Sequence, residues 1–473
     1  MGAPRAAGEE SNAVNRIGTS AAGRDVAYHL HPFTNLKLLQ TEGPLVITRG
    51  KGVRVFDETG KGYIEGLAGL WCVSLGFGEE RLVEAAVDQM RRLSFYHGFG
   101  GNVSDTIIDL AEKLVGMAPV PMSKAFFANS GSEANDTAVK LVWYYNNALG
   151  RPNKKKIISR HKAYHGVSVA AASLTGLPTA HEDFDLPIPR ILHTDCPHYY
   201  RFARAGESEE AFATRCAENL EKLIVEEDPD TVAAFIAEPV MGAGGVIVPP
   251  PTYFEKIQSV LKKYDVLFLA DEVICGFGRT GNMWGSETFD LRPDMITVAK
   301  ALSSGYVPIS ALLVSEPIYQ AIVDESAKIG VFGHGFTYSG HPVAAAVALE
   351  TLKIYEERDI VRQVRAISPH LQDGLRRFAG HPLVGEVRGV GLLGAVELVR
   401  QKETGEPFDP GAGAGPYLVK RAHRHGLITR ALGDTIAFSP PLVITVGEIE
   451  EMLASFGRAL DETEAWAAKQ GLV

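Results

Sequence analysis

Short apolar runs closed by polar residues recur through the middle of the chain and predict buried strands. Val266-Leu267-Phe268-Leu269-Ala270 turns polar at Asp271-Glu272, and Met295-Ile296-Thr297-Val298-Ala299 ends at Lys300. Runs that are apolar at nearly every position read as interior strands of a parallel sheet, covered on both faces. Helical spacing lies between them. Ala134, Ala138, Leu141, Val142 and Tyr145 share one face with Gly150 closing the end, and Ile107, Ile108, Ala111, Leu114 and Val115 follow an N-cap at Ser104. This alternation, from about residue 79 to 337, predicts an α/β layer structure. Outside it, residues 43–66 predict short strands with turns, and Pro342 opens a helix at its favoured first position. Residues 385–398 and 436–438 predict strands, and 416–425 and 446–466 predict helices. The glycine- and proline-rich stretch 403–415 predicts a surface loop. Residues 1–30, rich in Ala, Gly, Ser and charge, predict a loosely held arm.

A chain of 473 residues exceeds one hydrophobic core, so about two or three domains are expected. Its 47 basic and 57 acidic residues leave a net charge of −10, which argues against nucleic acid or an anionic membrane as partner. Cys72, Cys196, Cys216 and Cys275 show no paired spacing and read as reduced thiols. The start, Met1-Gly2-Ala3-Pro4-Arg5-Ala6, lacks the apolar stretch of a secretory signal and the hydroxyl residue of a myristoylation motif. With no apolar run long enough for a membrane helix, a cytosolic protein is expected.

The candidate chemistry begins with Asp271 and Lys300. In open α/β sheets ligands gather at the carboxyl ends of strands, where both residues are predicted to lie. An isolated pair of this kind is more often a structural salt bridge, but an acid and an amine there also suit pyridoxal phosphate. The lysine would hold the cofactor as a Schiff base, and the carboxylate would keep the pyridine nitrogen protonated. Asn129-Ser130-Gly131-Ser132-Glu133 precedes a helix, and such a turn offers N–H groups, hydroxyls and the positive dipole end to a phosphate. Tyr164, after the strand at 156–160, can lie on one face of a pyridine ring while Val273 covers the other. His161 and His165 sit four apart without a helix to align them or a third ligand, so no metal site is expected. Two stretches, 276–281 and 389–394, spell G-x-G-x-x-G, yet neither joins a strand to a helix, which excludes a dinucleotide fold.

Taken together, these segments resemble the class III pyridoxal-phosphate-dependent aminotransferases, and among them the (S)-selective ω-transaminases, also called amine:pyruvate or β-alanine:pyruvate aminotransferases. The resemblance spans about residues 30–470. It is carried by His31-Pro32-Phe33-Thr34, Gly69-Leu70-Trp71-Cys72-Val73, Ser130-Gly131-Ser132-Glu133, Tyr164-His165-Gly166, Glu238-Pro239, Ala270 to Arg279, Lys300, and Gly335 to Pro342. It implies fold type I: a large domain (71–337) with a mostly parallel seven-stranded sheet, and a small α+β domain built from both chain ends (31–70 and 338–473). It also implies a homodimer with shared sites, and leaves open whether dimers pair into a tetramer.

By the same resemblance Lys300 is the Schiff-base lysine, Asp271 pairs the ring nitrogen, and Tyr164 and Val273 sandwich the ring. Ser130, Gly131 and Ser132 hold the phosphate, with Thr337 reaching it from the other subunit; His165 and Glu238 complete the cofactor surroundings. Arg430 would bind an acceptor's carboxylate and rest against Glu238 when free. Phe33, Trp71 and Phe99 would wall the substrate pocket beside Tyr164, with Phe336 from the partner chain. Gly100 and Gly101 replace a bulky residue of some relatives, which would widen that pocket. The implied reaction moves an amino group from a primary amine or ω-amino acid to pyruvate or a similar oxo acid, by a ping-pong route through pyridoxamine phosphate. The alternatives are an α-oxoglutarate-dependent enzyme of the ornithine or γ-aminobutyrate type, or a decarboxylase or aminomutase on the same scaffold.

Overall fold

Seven strands form the central sheet of the computed structural model, which describes residues 20–409 and 411–473. In chain order they are β1 (Lys124–Ala128), β2 (Lys156–Arg160), β3 (Ile191–Thr194), β4 (Val232–Ala237), β5 (Leu267–Asp271), β6 (Met295–Val298) and β7 (Ser310–Val314). In space they lie β1-β7-β6-β5-β4-β2-β3. All neighbours are parallel except β7, which runs antiparallel to both β6 and β1. The uninterrupted apolar runs have the expected cause, since every residue of β4, β6 and β7 is buried. Successive side chains of β5 serve opposite faces. Phe268 packs with Phe212 and Phe254, whereas Leu269 packs with Leu141 and Val142 of helix α1 (Gly131–Ala148). Asp271 pairs with Thr297 across β5 and β6, so the two strands deliver Asp271 and Lys300 to the same edge.

Two four-stranded sheets come from the chain ends. The first contains Ile47–Lys51, Arg54–Asp57 and Gly62–Glu65, joined by Leu427–Ile428, which runs parallel to Gly62–Glu65 with Leu427 opposite Ile64. The second holds Val384–Val390, Leu393–Leu398, Thr435–Phe438 and Arg430–Leu432. An α/β fold with a large, mostly parallel sheet and smaller sheets from the termini is the architecture of fold type I.

Three local expectations need correction. Residues 385–398 are not one strand but a hairpin that turns at Gly391, whose φ of 60° favours glycine. The turn is so short that the apolar pattern runs on through it. Residues 1–19 of the expected arm lie outside the described residues. Its remainder is not loose throughout, because Ala21–Tyr28 is a helix whose N-cap Ser20 accepts from Gly23 N at 3.1 Å. The loop at 403–415 is shorter than expected, since a helix already starts at Ala414. All four cysteines are free thiols. Among the described residues no helix is long and apolar enough to cross a membrane.

Candidate active site

A cavity of about 140 Å³ opens at the edge where β5 and β6 end. It is lined by Gly131, Ser132, Tyr164, His165, Gly166, Glu238, Asp271, Val273, Ile274, Ala299 and Lys300. Lys300 follows β6 with φ 46°, a left-handed conformation that bulky residues rarely adopt, and starts a 3₁₀ turn to Ser303. That turn aims the lysine into the cavity instead of continuing the strand. Burial lowers its pKa, partly offset by Cys72 and by Asp271. A cleft of about 1140 Å³ elsewhere, around Pro249 to Phe254 and Asp290, is far larger, but its ionisable groups are mostly exposed at the rim. Volume alone does not locate chemistry.

Asp271 is held on three sides. Its Oδ2 accepts from Asn135 Nδ2 at 2.9 Å and stands 2.7 Å from His165 Nδ1, while Oδ1 accepts from Val273 N at 3.1 Å. A carboxylate only accepts, so His165 carries its proton on Nδ1. Asn135 is fixed in turn, donating to His165 O at 2.7 Å and accepting from Thr297 Oγ1 at 2.8 Å. The sequence reading missed Asn135. The available signal was a polar residue between Ala134 and Ala138 on the buried face of α1. It also missed Ile274 and Ala299, whose apolar side chains carry no chemical signature.

The first turn of α1 forms the floor. Ser130 Oγ accepts from Glu133 N at 3.2 Å, so this hydroxyl serves as an ordinary helix N-cap and does not line the cavity. Gly131 and Ser132 do line it, at helix positions whose N–H groups have no partner within the helix. Val273 lies against Gly131, its Cγ2 only 3.2 Å from where a glycine-to-alanine methyl would stand. Gly166 closes one side with φ 134°, and a methyl there would run into Ser132 Oγ, Ser132 Cα (2.8 Å) and Ala171 Cβ (2.9 Å). Gly166→Ala is therefore expected to cost roughly 2 kcal/mol of stability, read as a lower denaturant midpoint.

The residues expected to touch substrate fall into two groups. Phe33, Trp71, Tyr164 and Arg430 gather near the cavity. Phe33 is exposed and meets Tyr164 edge-on at 6.3 Å. Trp71 is buried in a cluster with the cavity-lining Ile274, at the end of a kinked segment where Ala68, Gly69 and Trp71 all have positive φ. Arg430 is partly buried; burial lowers its pKa, and Tyr164 is the ionisable group acting on it. Its expected resting contact with Glu238 does not form. Glu238 instead accepts from Tyr164 N (3.0 Å) and Gly242 N (2.9 Å), which occupies both oxygens, and burial raises its pKa.

Phe99, Phe336 and Thr337 form the second group, outside the cavity of their own chain. Phe99 lies against the 335–337 segment, its Cε1 3.3 Å from where a Gly335 methyl would sit. Thr337 is exposed. Gly100 and Gly101 follow from backbone geometry: both have positive φ, and nothing lies within 4 Å of an added methyl.

Two groups of histidine and carboxylate outside the cavity have metal-like proximity, Asp25/His29/His31 and His198/Glu386/Glu397. In the first, Asp25 is hydrogen-bonded to both imidazoles. In the second, Arg388 already bonds both glutamates at 2.5 Å. His161 and His165 diverge, one beside His193 and the other on Asp271.

The sequence profile described as Aminotransferase class-III matches residues 39–460. The chain belongs to the class III aminotransferases. It is similar to γ-aminobutyrate transaminase 3, chloroplastic, of Solanum lycopersicum, at 57% identity over 89% of this chain and 81% of that one. Among solved structures it is similar to the omega transaminase of Pseudomonas jessenii in complex with PMP. The identity there is 56% over 95% of this chain and 99% of that one, with a TM-score of 0.94. A thermostable omega transaminase variant engineered for asymmetric synthesis of enantiopure bulky amines is equally near. It has a TM-score of 0.94 and 56% identity over 94% of this chain and all of that one. That variant carries a tryptophan-to-methionine, a phenylalanine-to-leucine and an arginine-to-leucine substitution.

This aminotransferase uses pyridoxal phosphate, and the residues present fit it. The cavity joins a helix start with free N–H groups, a carboxylate fixed by three donors and a lysine with a lowered pKa. His165 Nε2, buried there, has no partner among the described residues. The cytosolic expectation is corrected: the matched relatives from Solanum lycopersicum and Oryza sativa are named chloroplastic or mitochondrial in all but one case. The absence of a recognisable leader at Met1–Ala6 was too weak a ground for placing the protein.

Proposed function

We propose that this aminotransferase takes the terminal amino group of a short ω-amino acid of the γ-aminobutyrate type and passes it to an oxo acid. Arg430 carries the proposal. It is a partly buried guanidinium beside Tyr164, and Glu238 leaves it free. An ω-amino acid and an oxo acid share a carboxylate that such a group binds bidentately. The relatives named γ-aminobutyrate transaminases, at 54–57% identity, support the same donor. On the donor side this moves the γ-aminobutyrate-type alternative ahead of the amine:pyruvate reading.

Pyridoxal phosphate supplies the carbonyl carbon that carries the amino group and a ring that withdraws electrons from the reacting carbon. Lys300 Nζ anchors it at rest and moves the proton at the carbon bearing the amine. Burial favours its neutral form, the one able to act as nucleophile and base. Asp271, aligned by Asn135 and His165, holds the proton on the ring nitrogen. Gly131 and Ser132 would take the phosphate, and Tyr164 and Val273, which line the same cavity, would enclose the ring. Arg430 serves the donor's carboxylate and then the acceptor's, so two half-reactions use one pocket in turn.

The protein acts as a homodimer in this reading, and Phe336, Thr337 and Phe99 serve the other subunit's site. They lie together outside their own cavity, and Tyr28, Leu30, Phe95, Tyr96, Phe99 and Tyr338 leave apolar surface that a partner would cover. A second reading, carboxylate-free amines with pyruvate, is favoured by the engineered bulky-amine variant. One constant shift in numbering carries all three of its substitutions onto Trp71, Phe99 and Arg430.

Donor and acceptor panels decide between them. With γ-aminobutyrate, kcat/KM is expected to exceed that for 1-phenylethylamine by at least about tenfold, and the reverse order would establish the second reading. Running both donors against pyruvate and against 2-oxoglutarate assigns the acceptor. Arg430→Leu is expected to raise KM for γ-aminobutyrate and for the oxo acid by about 10²-fold, or roughly 3 kcal/mol, while sparing 1-phenylethylamine.

A further inference from the structure

We propose that His334 is a positioning residue that fixes the Phe336–Thr337 segment for a neighbouring active site. This rests on the reading above, in which that segment serves the partner subunit. His334 lies in the irregular stretch between helices Glu316–Ile329 and Pro342–Glu357, and it is tied to α1 at two points. Its Nε2 stands 2.9 Å from Thr137 Oγ1, and its Nδ1 stands 2.8 Å from Lys140 Nζ. Thr137 Oγ1 gives its own proton to Glu133 O at 2.8 Å, so it accepts from His334 Nε2. The Lys140 ammonium has only protons to give, so Nδ1 accepts. Both ring nitrogens are thus engaged in one neutral tautomer. Burial and the Lys140 charge agree with this, lowering the pKa to about 4.

The ring itself lies flat on Phe126 of β1, with centroids 5.2 Å apart and planes 9° from parallel, and meets Phe336 edge-on at 5.4 Å. Beyond His334, Gly335 lies against Phe99, and Phe336 N donates to Ser339 Oγ at 3.0 Å. Thr337 is therefore presented on a short span held at both ends. The helix that does the holding is the one whose first turn, Gly131–Ser132, lines this chain's own cavity. One rigid element thus sets the cofactor floor of one site and, a turn or two later, the reach of the segment offered to the other.

The test uses the holoenzyme, with the cofactor dissociation constant read from absorbance, beside kcat and melting temperature. His334→Phe keeps the stacked ring and removes both polar contacts. It is expected to weaken cofactor binding about tenfold with the melting temperature nearly unchanged, and His334→Gln is expected to restore most of the loss. Because His334 acts through Thr337, His334→Phe combined with Thr337→Val is expected to bind no more weakly than Thr337→Val alone. Wild-type cofactor binding in His334→Phe, or losses that multiply in the double variant, overturns the proposal while leaving the Thr337 reading intact. Wild-type binding in Thr337→Val overturns both.

Discussion

Lys300→Ala is expected to lower kcat for transamination by at least about 10⁴-fold while leaving the fold in place. Lys300 is the one amine lining the cavity, and no other described residue there can both anchor a carbonyl and return a proton to carbon. The substitution removes an amine whose pKa burial has already lowered and leaves a residue that tolerates φ 46° no worse than lysine does. Stability should therefore change by less than about 1 kcal/mol. Steady-state rates with a saturating donor and acceptor measure the first effect. Borohydride treatment of the wild-type holoenzyme followed by peptide mapping measures its cause: the label should reside on the peptide containing residue 300. Turnover within tenfold of wild type, or a label on another peptide, would remove Lys300 from its assigned role.

Asp271→Asn is expected to cost at least about two decades in kcat, or roughly 3 kcal/mol, with little loss of cofactor. The substitution keeps the shape but removes the charge that holds a proton on the ring nitrogen. It also disturbs a satisfied arrangement, because Oδ2 now collects donors from both Asn135 and His165. An amide placed there keeps one acceptor: with its oxygen toward Asn135 and His165 its N–H groups face the Val273 N–H, and turned the other way they face both side-chain donors. Near-wild-type turnover in this variant would refute the electrostatic role.

The sequence made the large sheet legible because its strands are buried on both faces, and burial on both faces writes itself as unbroken apolar runs. β5 and β6 were placed to within a residue for that reason, and with them the positions of Asp271 and Lys300. What the runs did not contain was register between distant segments. Nothing in residues 62–65 announces that Leu427–Ile428 will lie beside them. The hairpin at Gly391 was read as one strand because its turn is too short to interrupt the pattern. Ser130 shows that a cap and a phosphate ligand draw on the same residue types: its Oγ accepts from Glu133 N as a helix cap does. Glu238 failed as a partner for Arg430 because two backbone N–H groups, invisible in side-chain chemistry, reach it first. The nearness of Phe99 to Gly335 was not legible because Gly335 lies far along the chain. Asn135 went unnoticed because an amide buried on a helix face has no motif of its own.

The pairing of Leu427 with Ile64 also dictates when the enzyme becomes complete during its own synthesis. The seven strands that present the acid and the lysine have all been translated once Val314 has left the ribosome. Strand Gly62–Glu65, made much earlier and paired on one edge with Arg54–Asp57, must wait for its second neighbour more than 360 residues downstream, and Arg430 emerges just behind that neighbour. A nascent chain can therefore bring Asp271 and Lys300 together well before Arg430 is in place, and the helix Val446–Lys469 is made later still.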